Sequence, residues 1–397
     1  MAPTVKLKEM KPKFSKKKAL VAVLGLAVAS FLILEGSLRL FVLVTHKGIK
    51  EFDTQLDLYQ GHPFIGYVLK PNFKLKRDRG GFSRSPRGFG APYEITVNRL
   101  GFRGKEFSPL KKQEGVAYRV FCLGGSDTFG FSVNDEETWP ARLEQKLREA
   151  FPEQRIEVIN AGGPGYTTFH SLYNFHSRIL DYEPDMIIVY HSWNDLKYLL
   201  YVSPEHPFVE TGMGGDYEPP SWFAQILRKS YSYILLTAAI ELWNITVQQH
   251  REYETYVKGE KSKDLSYGFR LFERNLLGIA VLGRLHGVKV VLANPLTLVK
   301  PVNPESEVKE IKYSYTGLSM DELRAAFDHV NDILKAISKS EELDYVDLNQ
   351  LVHSDLETLM DHIHPTPLGH EQIAEAFFQQ LKKGIGEHLV AEPRESR

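Results

Sequence analysis

Short apolar runs alternate with stretches of helical periodicity along the chain after residue 117. The runs are four to six residues long and rich in valine, isoleucine and aromatic residues, which is typical of buried strands; they span 118–123, 156–159, 186–190, 288–293 and 345–348. Between and after them, apolar residues recur every three or four positions and predict helices over 136–151, 169–180, 269–285, 320–337 and 368–381. This alternation predicts an α/β fold with a five-stranded parallel sheet, helices on both faces and right-handed crossovers.

A second pattern, near the N-terminus, predicts one transmembrane helix over 19–44. Its apolar run continues past Glu35 and Arg39, which are four apart and can pair on one helix face. The preceding segment, 1–18, carries seven lysines and one glutamate. Because basic residues stay on the cytoplasmic side, we expect a cytoplasmic N-terminus and the remainder of the chain outside. A cleaved signal peptide with a processing site at 27–29 is the alternative, although the apolar run continues beyond that site.

Two regions interrupt the strand–helix alternation. Residues 45–116 form a preamble that we expect to pack on the core; within it, 71–92 is turn-rich and basic, and 93–97 alternates like a strand. Residues 201–266 form an insertion after the third predicted strand, with an apolar stretch too short to span a bilayer, which we interpret as a lid or a side helix. The predicted sheet domain is 117–386, and a C-terminal tail follows at 387–397.

The sequence Gly-Gly-Ser-Asp-Thr-Phe-Gly at 124–130 follows the first predicted strand directly. In open α/β sheets, ligands bind at the carboxyl edge of the strands. Ser126 is therefore placed where a serine nucleophile needs to be, with its hydroxyl at that edge and backbone N–H groups beside it. A glycine- and serine-rich turn that merely ends a strand gives the same local pattern. The residues that follow the other predicted strands therefore have to distinguish a nucleophile from such a turn.

Three further strand ends carry matching chemistry. His364 can take a proton from a serine hydroxyl, and Asp361, three residues earlier, can orient its imidazole. An acyl-transfer intermediate also needs hydrogen-bond donors for its oxyanion. The N–H of Gly165, the side-chain amide of Asn194 and the N–H of Ser126 are candidates, following the second, third and first strands. Their common placement at strand ends predicts a Ser126–His364–Asp361 catalytic triad with an oxyanion hole.

Other candidate ligands and nucleophiles have simpler interpretations. Cys122 lies within the first predicted strand and is expected to be a buried small hydrophobic residue; as the only cysteine, it excludes an intrachain disulfide. His362 and His370 are expected to be structural, with a metal pair of His362 and His364 as a minor alternative. The net charge of −1 gives no global electrostatic case for nucleic-acid binding, and we expect no cofactor.

Over about residues 117–384, these motifs resemble those of the SGNH, or GDSL-like, hydrolase superfamily. Ser126 matches the serine of its first block, Gly165 and Asn194 the glycine and asparagine of its second and third, and the pair Asp361 and His364 its last. The resemblance implies a flavodoxin-like three-layer α/β/α sandwich and an esterase, lipase, thioesterase or O-acetyl-transferring activity. The chain is most similar to membrane-anchored members with Gly-Gly-Ser-x-Thr-Phe-Gly.

Two departures from the family pattern leave every catalytic group in place. Gly124-Gly125 stands where the family has Gly-Asp before the serine, and Ser192-Trp193 stands before Asn194 where the family has a glycine and a variable residue. Trp193 is expected to shape the pocket wall.

We therefore predict a single-pass membrane-anchored serine hydrolase, outside the cytoplasm, acting on a small-molecule, lipid or acylated-carbohydrate ester. One alternative is an O-acyltransferase or O-acetylesterase acting on an envelope polysaccharide with the same residues. The other is a catalytically inactive binding domain on a membrane stalk, for which an intact set of catalytic residues has no purpose.

Overall fold

A computed structural model describes residues 16–45, 58–77, 92–111, 115–191, 193–199, 227, 230–233, 236 and 264–391. The chain divides into two units: Met1–Asp53 with Pro220–Trp243, and Thr54–Pro219 with Asn244–Arg397. Most of the predicted insertion 201–266, the basic segment 1–15 and the basic residues 78–91 of the preamble lie outside the described residues.

The larger unit is built on a parallel sheet. Among the described residues its strands are β5 (Tyr118–Gly124), β6 (Ile156–Asn160), β7 (Met186–Tyr190), β8 (Lys289–Ala293) and β9 (Asp344–Val346). Their order is β6-β5-β7-β8-β9, with every neighbouring pair parallel. Numbered along the chain this is 2-1-3-4-5, the flavodoxin-like order. The predicted fold class is confirmed.

Helices cover this sheet on both faces. Their bounds are α2 Ser126–Phe129, α3 Trp139–Ala150, α4 Thr168–Ser177, α5 Trp193–Leu199, α6 Ser266–His286, α7 Glu305–Val308, α8 Tyr313–Thr316, α9 Met320–Ser340, α10 Leu348–Leu351 and α11 Pro367–Ala391. Helix α3 packs with α11 and β6, whereas α6 packs with α4, α5 and α9. All residues of β5, β6 and β7 are buried, as expected of strands covered on both faces.

Local signals in the sequence set the helix ends. Ser319 caps α9 by accepting a hydrogen bond from the N–H of Glu322, whose carboxylate in turn accepts from the N–H of Ser319. Gly287 ends α6 at a φ of +67°, a conformation that favours glycine. On the α3 side, the indole of Trp139 stacks on Phe377 of α11 with ring centroids 4.8 Å apart.

The last helix and the last strand differ most from their predicted bounds. Helix α11 runs to Ala391, beyond the predicted end at 381 and into the segment predicted as a tail. Ile385 continues its apolar face and is fully buried, so the helix gains core contacts past the predicted end. The fifth strand ends at Val346, before its predicted end, because Leu348 already begins the short helix α10.

The preamble contains two antiparallel pairs that pack in the larger unit. They are β1 (Tyr59–His62) with β2 (Gly66–Leu69) and β3 (Lys74–Arg77) with β4 (Tyr93–Thr96). Strand β3, at the start of the turn-rich and basic stretch 71–92, was not predicted from the sequence. Leu75 of β3 is buried opposite Ile95 of β4. This apolar cross-strand pair stabilises the hydrogen-bonded strands although the other three residues of β3 are basic.

Arg103 ties the preamble to the segment that follows α2. Its guanidinium is buried and donates to the carbonyl oxygens of Phe129, Gly130 and Val133, and it forms an ion pair with Asp135 at 3.0 Å. The carbonyls of Phe129 and Gly130 come at the end of α2, where no further helical turn can satisfy them. A preamble residue thus fixes the short helix that begins at Ser126.

The smaller unit contains the long apolar helix α1 (Lys16–Thr45), whose segment Lys18–Phe41 is long and apolar enough to cross a membrane. It is a candidate transmembrane span. Glu35 and Arg39 form the predicted i, i+4 pair at 2.8 Å. The Glu35 carboxylate also accepts hydrogen bonds from the hydroxyl groups of Ser230 and Ser232, both at the start of a described helical turn of the insertion.

Candidate active site

Ser126 begins helix α2, and only Gly125 separates it from the end of strand β5. The two glycines before it are required by close packing. A Cβ at Gly124 would lie 1.9 Å from Oγ1 of Thr128, and a Cβ at Gly125 would lie 2.7 Å from Nδ2 of Asn194. The glycines therefore let the backbone approach both neighbours, and the Asn194 amide lies against the residue before the serine.

The three predicted triad residues form one hydrogen-bonded row. Nε2 of His364 is 2.8 Å from Oγ of Ser126, and Nδ1 of His364 is 2.8 Å from Oδ2 of Asp361. The two ring nitrogens thus face different partners, so a neutral imidazole that donates from Nδ1 to the carboxylate can accept the serine proton at Nε2. The row spans 238 residues of sequence and is assembled by the carboxyl edge of the sheet.

Asp361 is held as a carboxylate. Burial raises its pKa, but the neighbouring His364 and His362, the hydrogen bond from His364 and the charge of Lys312 together hold the pKa well below its usual range. The backbone N–H groups of Ile363 and His364 also donate to Oδ1, at 3.1 and 3.0 Å. A fixed, charged acceptor of this kind stabilises a protonated imidazole.

Besides the N–H of Ser126, the predicted oxyanion-hole donors are Gly165 and Asn194. Gly165 has a φ of +81°, and a Cβ there would lie 2.6 Å from Oη of Tyr67 in the preamble. Asn194 is the second residue of α5, and its Nδ2 donates to the carbonyl of Tyr166 at 2.9 Å. Because a side-chain amide nitrogen carries two hydrogens, one of them remains for a ligand.

The neighbouring histidines occupy structural positions. His370 is fully buried, and its Nδ1 accepts a hydrogen bond from the N–H of Trp139 at 3.2 Å. His362 packs on the indole of Trp193 with ring centroids 4.3 Å apart. Burial lowers the pKa of each of these two histidines to about 3. The expected pocket wall at Trp193 is not found, because that side chain lies in the core and stacks on Phe327.

A metal site is not indicated by the described residues. Within the described ranges, no group of three or more histidine, cysteine, aspartate or glutamate side chains is arranged to hold a metal ion. Cys122 is fully buried in β5, and burial raises the pKa of its thiol well above the usual value.

A second serine–histidine pair lies inside the protein. Oγ of Ser171 is 2.6 Å from Nε2 of His191, whose Nδ1 is 4.0 Å from Oδ2 of Asp195. The side chain of His191 is 2% exposed, whereas that of His364 is 20% exposed. Burial lowers the pKa of His191 to about 3 and raises that of Asp195 to about 7. This pair is a structural network, and it supplies an internal control for the candidate site.

Several residues at the site were not predicted from the sequence. Tyr67, Lys312 and Tyr315 contact the loop of Gly165, the Asp361 carboxylate and the Asn194 amide, respectively. None belongs to a motif or follows a predicted strand directly. Asp195, next to Asn194, accepts hydrogen bonds from the N–H and the hydroxyl of Thr168 and fixes the start of α4. Its position beside Asn194 was the one feature of the sequence that could have indicated this role.

No protein-family model matches the chain, and no curated protein matches it. Among solved structures, a catalytic mutant of an acetylxylan esterase from Geobacillus stearothermophilus is similar at 14% identity and a TM-score of 0.40, covering 67% of this chain and 95% of that one. A lipase/acylhydrolase from Enterococcus faecalis gives 15% identity and a TM-score of 0.38, covering 67% and 96%. A GDSL-like lipase from Bacteroides thetaiotaomicron is similar at 13% identity and a TM-score of 0.38, covering 71% of this chain and 92% of that one. At these TM-scores the similarity carries no inference about function, which has to come from the geometry of this chain.

Proposed function

We propose that the protein is a serine ester hydrolase. The observation that carries the proposal is the row from Asp361 through His364 to Ser126, with both nitrogen–oxygen distances at 2.8 Å. Oγ of Ser126 attacks the ester carbonyl carbon while Nε2 of His364 takes the hydroxyl proton. The imidazolium then protonates the leaving alcohol as the acyl-enzyme forms. A water molecule, deprotonated by His364, releases the acid and restores the serine.

The oxyanion formed in both steps is proposed to be bound by three donors. These are the side-chain amide of Asn194 and the backbone N–H groups of Gly165 and Ser126. Support comes from the close approach of the Asn194 amide to Gly125, the residue before Ser126. Donors fixed in a partly buried site stabilise the developing charge without reorganising.

We further propose that the chain is an SGNH, or GDSL-like, hydrolase of the membrane-anchored Gly-Gly-Ser-x-Thr-Phe-Gly subtype. The order of the motif residues supports this proposal: Ser126 follows β5, Gly165 follows β6 and Asn194 follows β7. Strands β5 and β7 are adjacent, and the chain reverses direction across the sheet between them, which is the usual position of a ligand site in this topology.

An ester panel with graded acyl length tests the proposed activity. We expect the wild-type protein to release alcohol from a short activated ester such as p-nitrophenyl acetate. The same panel with an acceptor polysaccharide separates hydrolysis from acyl transfer, since transfer gives an acylated polysaccharide in place of free acid. Absence of turnover with every ester, with and without acceptor, would remove the proposal.

We propose that α1 anchors the protein, with the N-terminus in the cytoplasm and the catalytic unit outside. The apolar segment Lys18–Phe41 and the lysines of 1–18 support this orientation. The full-length protein is expected to require detergent for extraction, and protease added to intact spheroplasts is expected to digest the catalytic unit. Intact mass of the extracted protein separates an anchor from a cleaved signal peptide. A catalytic unit that is protected until the membrane is permeabilised would show the opposite orientation.

A further inference from the structure

A short segment before α9 contacts both halves of the candidate site. Nζ of Lys312 is 3.4 Å from Oδ2 of Asp361, and the hydroxyl of Tyr315 donates to Oδ1 of Asn194 at 2.8 Å. Lys312 lies directly before α8, and Tyr315 lies within that helix. One short turn of chain therefore reaches the proposed triad carboxylate and the proposed oxyanion-hole amide together.

The segment is itself fixed by the core. The ring of Tyr313 is 1% exposed, and its hydroxyl donates to the carbonyl of Val308 at 3.2 Å. Thr316 is fully buried, and Gly317 ends the turn at a φ of +67° with its N–H bonded to the carbonyl of Tyr313. Tyr313 and Thr316 point into the protein, so Lys312 and Tyr315 are presented from a rigid turn.

We propose that Lys312 and Tyr315 are positioning residues of the proposed esterase: Lys312 offsets the charge of Asp361, and Tyr315 sets the orientation of the Asn194 amide. The inference rests on the proposed function. In this proposal, neither Lys312 nor Tyr315 forms a covalent bond with the substrate or contacts the reacting carbonyl.

Tyr315 acts through the two ends of the Asn194 amide. An amide that rotates by half a turn exchanges its oxygen and its nitrogen, which would present an acceptor to the oxyanion. The Tyr315 hydroxyl donates to Oδ1, and the carbonyl of Tyr166 accepts from Nδ2. Because a donor faces the amide oxygen and an acceptor faces the amide nitrogen, the orientation of the amide is fixed. The second N–H of Asn194 is then available to the oxyanion.

Lys312 acts through charge. The side chain of Asp361 is 1% exposed, so its field at His364 is weakly screened by water. An uncompensated carboxylate favours a positive charge on its hydrogen-bonded partner, and a protonated imidazole cannot take the serine proton. The ammonium of Lys312, 3.4 Å from Oδ2 of Asp361, offsets part of that field.

Other titratable groups also face this pair. They are His362 beside Asp361, Asp127 on α2 and His370 on α11. Burial lowers the pKa of His362 and of His370 to about 3, so both are neutral in the working range. Burial raises the pKa of Asp127 to about 6, so this carboxyl also titrates near neutral pH. Asp127 is present in both the wild-type protein and the Lys312 variant, so the difference between the two profiles reports the loss of the ammonium group.

The experiment on Lys312 compares pH profiles of kcat/KM on p-nitrophenyl acetate. In Lys312→Met, the acid limb is expected to move to higher pH by about one unit, the scale of a nearby unit charge at high effective dielectric. Lys312→Arg keeps the charge and is expected to keep the wild-type profile. Lys335→Met is the matched control, because Lys335 forms an ion pair with Asp347 at the same 3.4 Å without touching the site.

The experiment on Tyr315 is a double-mutant cycle. Tyr315→Phe retains the ring and removes the hydroxyl, and it is expected to lower kcat about tenfold with little change in KM, less than the loss of a whole oxyanion donor. In an Asn194→Ala background the same change is expected to have no further effect, because both act through one amide. Thermal unfolding of each variant verifies that it is folded.

The outcomes separate the two proposals. If the wild-type enzyme is active and the pH profile of Lys312→Met superimposes on its profile, the role of Lys312 is overturned. If the effects of Tyr315→Phe and Asn194→Ala on kcat are additive, the role of Tyr315 is overturned. A Lys312→Arg variant that shifts as far as Lys312→Met overturns the charge mechanism. If Lys312→Met does not fold, Lys312→Gln takes its place, with the same expected displacement of the acid limb and the same contradicting result. A wild-type protein without ester turnover overturns the proposed function itself and the positioning roles with it.

Discussion

Replacing Ser126 with alanine is expected to reduce ester turnover by about 10⁶, to the level of the uncatalysed reaction plus residual binding effects. The physical reason is that Oγ is the atom in contact with Nε2 of His364, at 2.8 Å, and the alanine side chain offers no oxygen there. The measurement is kcat on p-nitrophenyl acetate, with thermal unfolding in parallel. Removal of one hydroxyl from a folded turn leaves the core unchanged, so the unfolding midpoint is expected to stay close to that of the wild type.

The buried pair of Ser171 and His191 provides the matched control for this variant. Ser171→Ala also removes a hydroxyl that is hydrogen-bonded to a histidine Nε2, at 2.6 Å. Because that histidine is almost fully buried, the variant is expected to lose some stability and to retain kcat. Full activity in Ser126→Ala, or loss of turnover in a folded Ser171→Ala variant, would contradict the assignment.

Replacing Asp361 with asparagine is expected to lower kcat by about 10²–10⁴, in the range of triad carboxylates. The substitution keeps the size of the side chain but removes the charge that stabilises the His364 imidazolium. An amide nitrogen facing Nδ1 also favours the wrong tautomer, with the proton on Nε2 and no acceptor for the serine hydroxyl. The measurement is kcat at saturating ester, with KM expected to change much less.

Asp185→Asn is the control for this carboxylate. Asp185 forms an ion pair with Lys111 and accepts from the N–H of Arg119, so it is also a partly buried, paired carboxylate. It precedes β7 at the amino edge of the sheet, opposite the candidate site. We expect a lower unfolding midpoint and an unchanged kcat. A comparable loss of kcat in both variants would mean that Asp361 acts through stability alone.

The sheet and the motif residues were accessible from the sequence because their signals are local. Strands β5 to β8 are short apolar runs, and buried parallel strands need little else. Asp361 and His364 are three residues apart, so one turn of chain brings them together whatever the rest of the fold does. The proximity of Asp361 and His364 to Ser126 was predicted because the carboxyl ends of parallel strands share one edge of the sheet.

The remainder depends on contacts that no local pattern encodes. Lys312 and Tyr315 lie in a segment between β8 and α9 that carries no motif, and their partners are 49 and 121 residues away. Tyr67 reaches the loop of Gly165 from a preamble hairpin whose pairing was not predicted. Trp193 was placed wrongly for the same reason, because its burial against Phe327 is decided by a helix from a distant part of the chain.

The most direct test of the central claim is covalent labelling with a fluorophosphonate followed by peptide mapping. The phosphonyl group reacts with a serine whose hydroxyl is deprotonated by an adjacent base, so it reports the nucleophile without knowledge of the substrate. We expect stoichiometric modification of Ser126 in the wild-type protein and none in the Ser126→Ala variant, with Ser171 unmodified in both. Modification at another serine, or an unreactive wild-type protein that is folded, would contradict the account.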